Sequence, residues 1–395
     1  MFTSLIQRAV RKIQKDGFKS VFIIAKRSIA PFFSGMFIKK KDGAILYVIG
    51  CSIGESKRYR VYNLIDALTP YGLAAQVIYQ ESLPYLRPKG YKMVVFFRCK
   101  TSAFTLRFMK KCKRSSIPAV YDVDDLVFDY AIVDKVREED ALTDRQYRVY
   151  IKETDRYCAM IKECDYATGS TVYLCEYMQN RFGKQAFLIP NGLNQKQIDT
   201  ALNLPEKESS GMQIGFLSGS NTHNKDFEQA EQALASLLAK YSELKLVIVG
   251  YLDVSARFSS FGDRVEHIPF MDYLSLMRFC SRFYAVIVPL EVDTLFCNAK
   301  SELKYFEQAL IGVPVVASPT EPYKACITDG VNGLLAEGPQ QWEGALERLI
   351  QDRTFRDTLA ETARLHIQDR YYPDIIGETA NAVYSQILKS AVEGG

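Results

Sequence analysis

The feature of this sequence that most constrains its fold is a repeated alternation of short apolar runs with longer stretches of helical spacing. One series starts with AILYVI at 44–49, and a second starts at 214, after the polar stretch at 204–213. Short apolar runs bounded by turn residues indicate buried strands. Strands that alternate with helices indicate parallel sheets with right-handed crossovers. The sequence therefore predicts an α/β chain with two Rossmann-like, doubly wound domains.

The predicted strands divide into two series with a boundary near 195–212. A chain of 395 residues is too long for one compact core and long enough for two. Two such domains place a cleft at the carboxyl ends of both sheets. The predicted strands are 44–49, 73–79, 93–97, 119–121, 165–168 and 186–189, then 214–217, 246–249, 265–268, 285–288, 313–317 and 333–335. The predicted parts are an arm at 1–41, a first domain at 42–200, a second domain at 201–370 and a C-terminal helix at 371–395.

Basic residues are concentrated at the amino-terminal end of the chain. Residues 1–41 hold ten Lys and Arg against one acid, so this arm carries +9 and the rest of the chain −5. Apolar residues spaced three and four apart predict a helix with one apolar face at 2–13. Such a helix lies in the interface of an anionic membrane, or else docks on its own domain. We predict a cytoplasmic protein held peripherally on the anionic inner face of the cell membrane.

Other classes are disfavoured by composition. No apolar run reaches the ~18 residues that a membrane-spanning helix needs. The nine cysteines are odd in number and contain no Cys-x-x-Cys pair, which predicts reduced thiols and no zinc site. GCSIGES after the first strand lacks the spacing of a dehydrogenase's glycine turn. No recognition motif accompanies the basic arm, so we expect no nucleic-acid partner.

The stretch 289–318 carries the strongest chemical signal. A predicted strand ends near 290 and a helix begins near Ser301, so the first free N–H groups of that helix form an anion site. Lys300 adds a positive charge beside it, and Lys304 lies one turn further along. Glu307 lies two turns into the helix and could reach a hydroxyl of the ligand. Taken alone, the same pattern is typical of an ordinary strand–helix–strand unit with solvated lysines.

Several motifs together resemble the retaining glycosyltransferases of family 4, which have the GT-B fold. NAKSELKYFE at 298–307, followed by GVPVV at 312–316, resembles a subgroup of bacterial surface-polysaccharide enzymes. Glu307 matches the second Glu of the family's Glu-x7-Glu pattern, whereas Ala299 stands in the place of the first. Lys300 is our candidate to take over the role of that first Glu. The resemblance implies two domains facing across a cleft, with the C-terminal helix crossing back to the first domain.

The resemblance also implies that the second domain binds a nucleotide-diphosphate sugar. It extends to SGSNTHNKDF at 218–227 and HIPF at 267–270. A glycine turn at a strand's carboxyl end lets backbone N–H groups approach a phosphate. The family's usual Gly-Arg is absent, and Lys225 is the candidate to meet the diphosphate. The implied donor-binding residues are Ser218, Gly219, His223, Lys225, Ile268, Ser301, Glu302, Leu303 and Lys304.

The first domain carries an acidic cluster in VYDVDDLVFD at 120–129. Neighbouring carboxylates repel one another, so we expect a raised pKa in this cluster. Asp124 and Asp125 are predicted catalytic residues, together with Glu307 and Lys300; the alternative is that either Asp caps a helix. GT-B enzymes do not normally hold a metal at such a cluster, so we predict none. The residues predicted to face the acceptor are Arg98, Asp122, Tyr59 and Arg60.

The implied activity is sugar transfer to a glycan or lipid-linked acceptor in bacterial cell-surface polysaccharide synthesis, such as lipopolysaccharide or capsule. The resemblance implies retained configuration and no metal or other cofactor. Two alternatives share the fold: a catalytically inactive glycan- or nucleotide-binding protein, and a nucleotide-sugar epimerase. An epimerase would consume no acceptor, which separates the two activities.

Overall fold

The chain forms two parallel six-stranded sheets, one in each half. Helices cover the faces of both sheets, which makes the fold α/β as predicted. The residues that the computed structural model describes are 39–51, 55–134, 143–205, 211–219 and 223–393. The predicted amphipathic helix at 2–13 lies outside these residues.

The first sheet has the strand order β2-β1-β3-β4-β5-β6. Its order reverses between β1 and β3, which places a crevice at their carboxyl ends. Both of these strands are buried along their whole length, as expected for a parallel sheet covered on two faces. The strands are β1 Ile45–Ile49, β2 Ala75–Tyr79, β3 Met93–Phe97, β4 Ala119–Val123, β5 Tyr166–Gly169 and β6 Ala186–Leu188. Among the described residues of this half, the α-helices with full bounds are α1 Leu64–Leu68, α2 Ala103–Arg114, α3 Asp144–Glu163, α4 Val172–Phe182 and α5 Gln195–Leu202, and a π-helix at Arg58–Asn63 leads directly into α1.

The second sheet has the strand order β12-β11-β10-β7-β8-β9, so its switch point lies between β7 and β10. Its strands are β7 Gln213–Ser218, β8 Lys245–Gly250, β9 Val265–Ile268, β10 Ala285–Val288, β11 Val315–Ala317 and β12 Leu334–Leu335. The helices are α6 Asn224–Lys240, α7 Tyr273–Cys280, α8 Leu295–Asn298, α9 Leu303–Leu310, α10 Glu321–Cys326, α11 Gly338–Gln351, α12 Arg353–His366, α13 Gln368–Tyr371 and α14 Pro373–Glu393.

Helix α14 crosses back and completes the core of the first half. Its residues Ile376, Ala380, Tyr384 and Ile387 are buried in one cluster with β1 and β3. The Tyr47 hydroxyl donates to the Tyr384 hydroxyl at 3.2 Å inside this cluster. The two facing sheets and this crossover helix form the predicted GT-B arrangement.

The predicted strands are observed, with shifts at their ends. β11 begins at Val315 because the Val313 N–H instead donates to Gln308 O at the end of α9 and Pro314 has no N–H. Helix α9 begins at Leu303, later than the predicted start at Ser301. A separate short helix, α8, ends at Asn298, and residues 299–302 between the two are not helical.

No helix within the described ranges combines the length and the apolar character that crossing a bilayer requires.

Candidate functional site

A cavity of about 330 Å³ lies between the carboxyl ends of the two sheets. It brings together most of the predicted site residues, from both halves of the chain. Two larger cavities, of about 530 and 930 Å³, flank the same cleft, but neither contains Lys300, Lys304 or Glu307. The predicted residues that line the smaller cavity are Tyr59, Arg98, Asp124, Asp125, Ser218, Gly219, His223, Lys300, Ser301, Leu303, Lys304 and Glu307.

Two lysines give the second-half wall of the cavity its positive charge. Lys300 precedes α9, and Lys304 lies in its first turn. Burial, together with the nearby Lys300 charge, lowers the pKa of Lys304 to about 8. Two ammonium groups held close together favour a ligand with negative charge. The N-terminus of α9 points its free N–H groups to the same place.

Asp226 lies buried behind this wall and accepts hydrogen bonds from several of its side chains. Its carboxylate is fully buried and accepts from His223 Nδ1 at 2.9 Å and from Lys300 Nζ at 3.1 Å. The Cys297 thiol also donates to it at 3.3 Å. Burial and the Lys300 charge lower the pKa of His223 to about 3, so the imidazole is neutral and donates its Nδ1 proton. The sequence showed Asp226 only as part of a motif and gave it no role.

A metal could find ligands beside this carboxylate. Within the described part of the chain, Asp226, Glu291 and Cys297 place one ligand atom each within 4.8 Å of one another. The Lys300 ammonium already neutralises Asp226, and an added cation would have to displace it or suffer its repulsion.

Glu307 contacts the first half of the chain. Its Oε1 accepts from the Tyr59 hydroxyl and, at 2.9 Å, from the Gln197 side-chain amide. The Arg58 guanidinium lies 3.5 Å from the same oxygen. The sequence analysis placed Glu307 and Tyr59 on opposite walls of the cleft. It did not predict that they touch, or that the Gln197 side chain donates to Glu307. Nothing in the local pattern of Gln197 signals this contact.

The acidic wall is organised by Arg98, which follows β3. Its Nε donates to Asp124 at 2.6 Å, and its Nη2 lies 3.7 Å from Asp125. Arg98 has a positive φ of 45°, which is uncommon outside glycine and turns the chain at the end of the strand. Burial raises the pKa of Asp125, and the Asp124 charge adds to the effect while Arg98 opposes it. The expected raised pKa is therefore present, with burial as its larger cause. Asp125 Oδ1 accepts from the Leu126 N–H in a turn instead of capping a helix.

Asp122 and Arg60 do not reach the cavity, although both were predicted to face the acceptor. Both are buried, at 0% and 1% exposure, and their side chains pair at 2.6 Å. Asp122 also accepts from the Thr168 hydroxyl at 2.7 Å. Asp122 lies within β4, where its side chain enters the core, whereas Asp124 and Asp125 follow the strand's end. A buried charge must be paired, and this pair serves the interior of the first half.

Three predicted donor-binding residues are also absent from the cavity wall: Lys225, Ile268 and Glu302. Glu302 turns to the far side of α9, where the Tyr371 hydroxyl donates to it at 2.8 Å and burial raises its pKa. After β9, the side chains that do line the cavity are Phe270 and Met271.

The fold and the cavity define the class of this chain, a two-domain α/β protein of the GT-B type with a polar cleft. Residues 212–352 match the family model described as "Glycosyl transferases group 1". This match confirms the predicted enzyme class, a glycosyltransferase, for the domain that it covers.

Three known proteins illustrate the similarity. A D-inositol 3-phosphate glycosyltransferase from Nocardioides sp. is 33% identical over 110 residues, which cover 26% of this chain and 23% of that relative. This chain therefore matches about a quarter of that relative's length.

Among solved structures, sucrose-phosphate synthase from Thermosynechococcus elongatus has a TM-score of 0.60 at 17% identity, covering 88% of this chain and 100% of its own. Anabaena HepE in complex with UDP has a TM-score of 0.56 at 14% identity, covering 87% and 100%. At such identities these two structures show a common fold.

Proposed function

We propose that this chain transfers a sugar from a nucleotide-diphosphate sugar to a glycan or lipid-linked acceptor in bacterial cell-surface polysaccharide synthesis. The observation that carries the proposal is the placement of Lys300 and Lys304 at the N-terminus of α9, opposite Asp124 and Asp125 across one cavity. Cations and helix N–H groups on one wall suit a diphosphate, and carboxylates on the other suit sugar hydroxyls.

The residues of each wall take different roles in the proposed reaction. The bond between the sugar's anomeric carbon and the diphosphate oxygen breaks, and the acceptor oxygen bonds to that carbon with retained configuration. Lys300, Lys304 and the α9 N-terminus stabilise the negative charge that develops on the departing diphosphate, which is typically a large catalytic term. The acceptor's proton passes to the departing phosphate or to a carboxylate of the acidic wall.

The donor's nucleotide is proposed by analogy. The HepE structure contains UDP, which makes UDP the first probe to use. We propose that the reaction needs no metal or other cofactor. Lys304 and the N–H groups at the start of α9 face the diphosphate, and Lys300, although paired with Asp226, adds a further donor. The membrane-facing role belongs to the arm at 1–41, whose charge of +9 suits the anionic inner surface of the membrane.

The test is binding of UDP by calorimetry, followed by transfer from UDP-sugars to extracted lipid-linked saccharides. We expect UDP to bind, and transfer to continue in excess EDTA. Transfer that stops with EDTA and returns with Mg²⁺ or Mn²⁺ would contradict the metal-free part of the proposal. UDP binding without any transfer would favour the inactive binding protein, and isomerised donor without acceptor consumption would favour the epimerase.

A further inference from the structure

The groups that hold Glu307 all come from the other half of the chain. Glu307 belongs to α9 in the second domain, whereas Arg58, Tyr59 and Gln197 belong to the first. The carboxylate is only 17% exposed. These contacts therefore exist only while the two domains are close together. They matter for catalysis only if the proposed sugar transfer is correct, but they can be tested without it.

Gln197 reaches Glu307 through an unusual use of a helix cap. At the start of α5, the Asn194 side chain accepts from the Gln197 N–H at 2.9 Å, and the Asn194 N–H donates to Gln197 Oε1 at 3.2 Å. This reciprocal pair is a capping box. It uses the oxygen of the Gln197 amide and fixes the rotamer, so that the amide nitrogen is directed at Glu307.

Arg58 is fixed between one aromatic ring from each domain. Its guanidinium lies 4.1 Å from the centroid of the Tyr59 ring and 3.9 Å from that of Tyr273, which begins α7 in the second domain. Arg58 Nη2 also donates to the Tyr59 hydroxyl at 2.6 Å. Burial and the Glu307 charge raise the pKa of Tyr59, so this hydroxyl keeps its proton and donates it to Glu307. Stacking on two rings holds the Arg58 guanidinium in place while its N–H donors remain directed at the Tyr59 hydroxyl and Glu307.

We propose that Arg58, Tyr59 and Gln197 form a clamp that positions Glu307 for the donor only when the domains close. All three contacts engage the same oxygen, Oε1. The clamp fixes that oxygen and leaves Oε2 for a hydroxyl of the nucleotide sugar. Domain closure and donor recognition are thus coupled through one carboxylate.

The test replaces the amide of Gln197 by a carboxylate. In Gln197→Glu the capping oxygen remains, since either Glu or Gln can serve at this place in a capping box. The group facing Glu307 changes from a donor to a like charge. The matched control is Gln146→Glu in the exposed capping box at the start of α3, where Thr143 and Gln146 form the same reciprocal pair.

We expect Gln197→Glu to lower kcat/KM for the donor by roughly 10- to 100-fold, because a buried acceptor loses its donor and meets a like charge. The control should match the wild type. In a Glu307→Ala background, Gln197→Glu should have no further effect, since the clamp acts through Glu307. An equal loss in both backgrounds would overturn the proposal.

A second measurement does not depend on activity. Small-angle scattering of the unliganded chain should give a larger radius of gyration for Gln197→Glu than for the wild type and for Gln146→Glu, with circular dichroism verifying that both variants are folded. The unfolding midpoint of Gln197→Glu should fall, because Gln197 is fully buried and the new carboxylate is desolvated there. Equal radii would show that these contacts do not govern closure. If the wild-type chain transfers no sugar but the radii differ as expected, the proposed function fails and the clamp stands.

Discussion

At the scale of single residues, pairing decides which charged side chains are available to a ligand. Asp122 and Arg60 neutralise each other inside the first half and are lost to the cleft. Lys304 lies in the cavity with a pKa lowered to about 8, and Lys300 remains at its edge while paired with Asp226. The same residue types thus serve the interior or the site according to their partners.

Replacing Lys300 or Glu307 by Ala should reduce turnover by roughly 10²–10³, as the loss of a preorganised contact to the transition state does. Both side chains are 17% exposed and line the cavity. Glu307→Ala should change folding little, whereas Lys300→Ala should also lower stability, because it leaves the buried Asp226 carboxylate without its cation. Steady-state kinetics with UDP-sugar is the measurement, and Lys324→Ala, on the exposed face of α10, is the control. Normal turnover in both variants, with the fold verified, would exclude this donor site.

His223 should make stability depend on pH. Its folded pKa is about 3, against an ordinary value of 6.5. Below pH 6.5, His223 binds a proton in the unfolded chain but stays neutral in the folded chain. The free energy of unfolding therefore falls as the pH falls towards 3. The loss from pH 7 to pH 5 amounts to about 2 kcal/mol. His223→Asn, which keeps a donor for Asp226, should remove this loss of about 2 kcal/mol in unfolding free energy between pH 7 and pH 5, as measured by denaturant titrations at the two pH values. An equal loss in the variant and the wild type would refute it.

At the scale of elements, the close approach of two strand ends shapes the second-half wall. Gly250 ends β8 with a φ of +102°, and a Cβ there would lie 1.8 Å from Ser218 O. Ser218 is the last residue of β7 and lines the cavity. The glycine lets β7 and β8 end side by side, so that Ser218 can line the cavity.

Gly250→Ala should therefore destabilise the chain by more than ~3 kcal/mol, since backbone must move as well as adopt a disfavoured φ. The matched control is Gly312→Ala, which has a φ of +67° and nothing within 4 Å of the added Cβ. It should lose only about 1 kcal/mol. Chemical denaturation measures the free energy of unfolding of both variants. Equal decreases would show that the clash with Ser218 does not contribute to the destabilisation.

At the scale of the whole molecule, the cleft between the two domains is lined by residues of both. The two lysines come from the second half, the two aspartates with Arg98 from the first, and Glu307 bridges the two. The basic arm would add a third partner, a membrane surface, to this arrangement. Each Lys or Arg near an anionic surface contributes about 1 kcal/mol.

Replacing Arg8, Arg11, Lys12 and Lys15 by Glu should release the protein from anionic vesicles, because attraction becomes repulsion. Activity on a small soluble acceptor should survive, since these changes lie outside the cleft-lining residues. Vesicle co-sedimentation at low and high salt measures the effect, with neutral vesicles as the control. If the wild-type protein does not bind anionic vesicles at low salt, the membrane hypothesis is wrong, and the alternative, a helix docked on its own domain, is favoured.

The sequence by itself determined the order of strands along the chain, because apolar runs and glycine turns are local signals. It also marked the α9 region, where NAKSELKYFE gathers its charges within a few residues. Tertiary structure alone decided which carboxylates reach the cleft. Asp122 and Asp124 stand two residues apart, yet one meets Arg60 in the core and the other meets Arg98 at the cleft. The contact of Gln197 with Glu307 likewise depends on how two domains approach each other, and residues 110 positions apart leave no local pattern that predicts it.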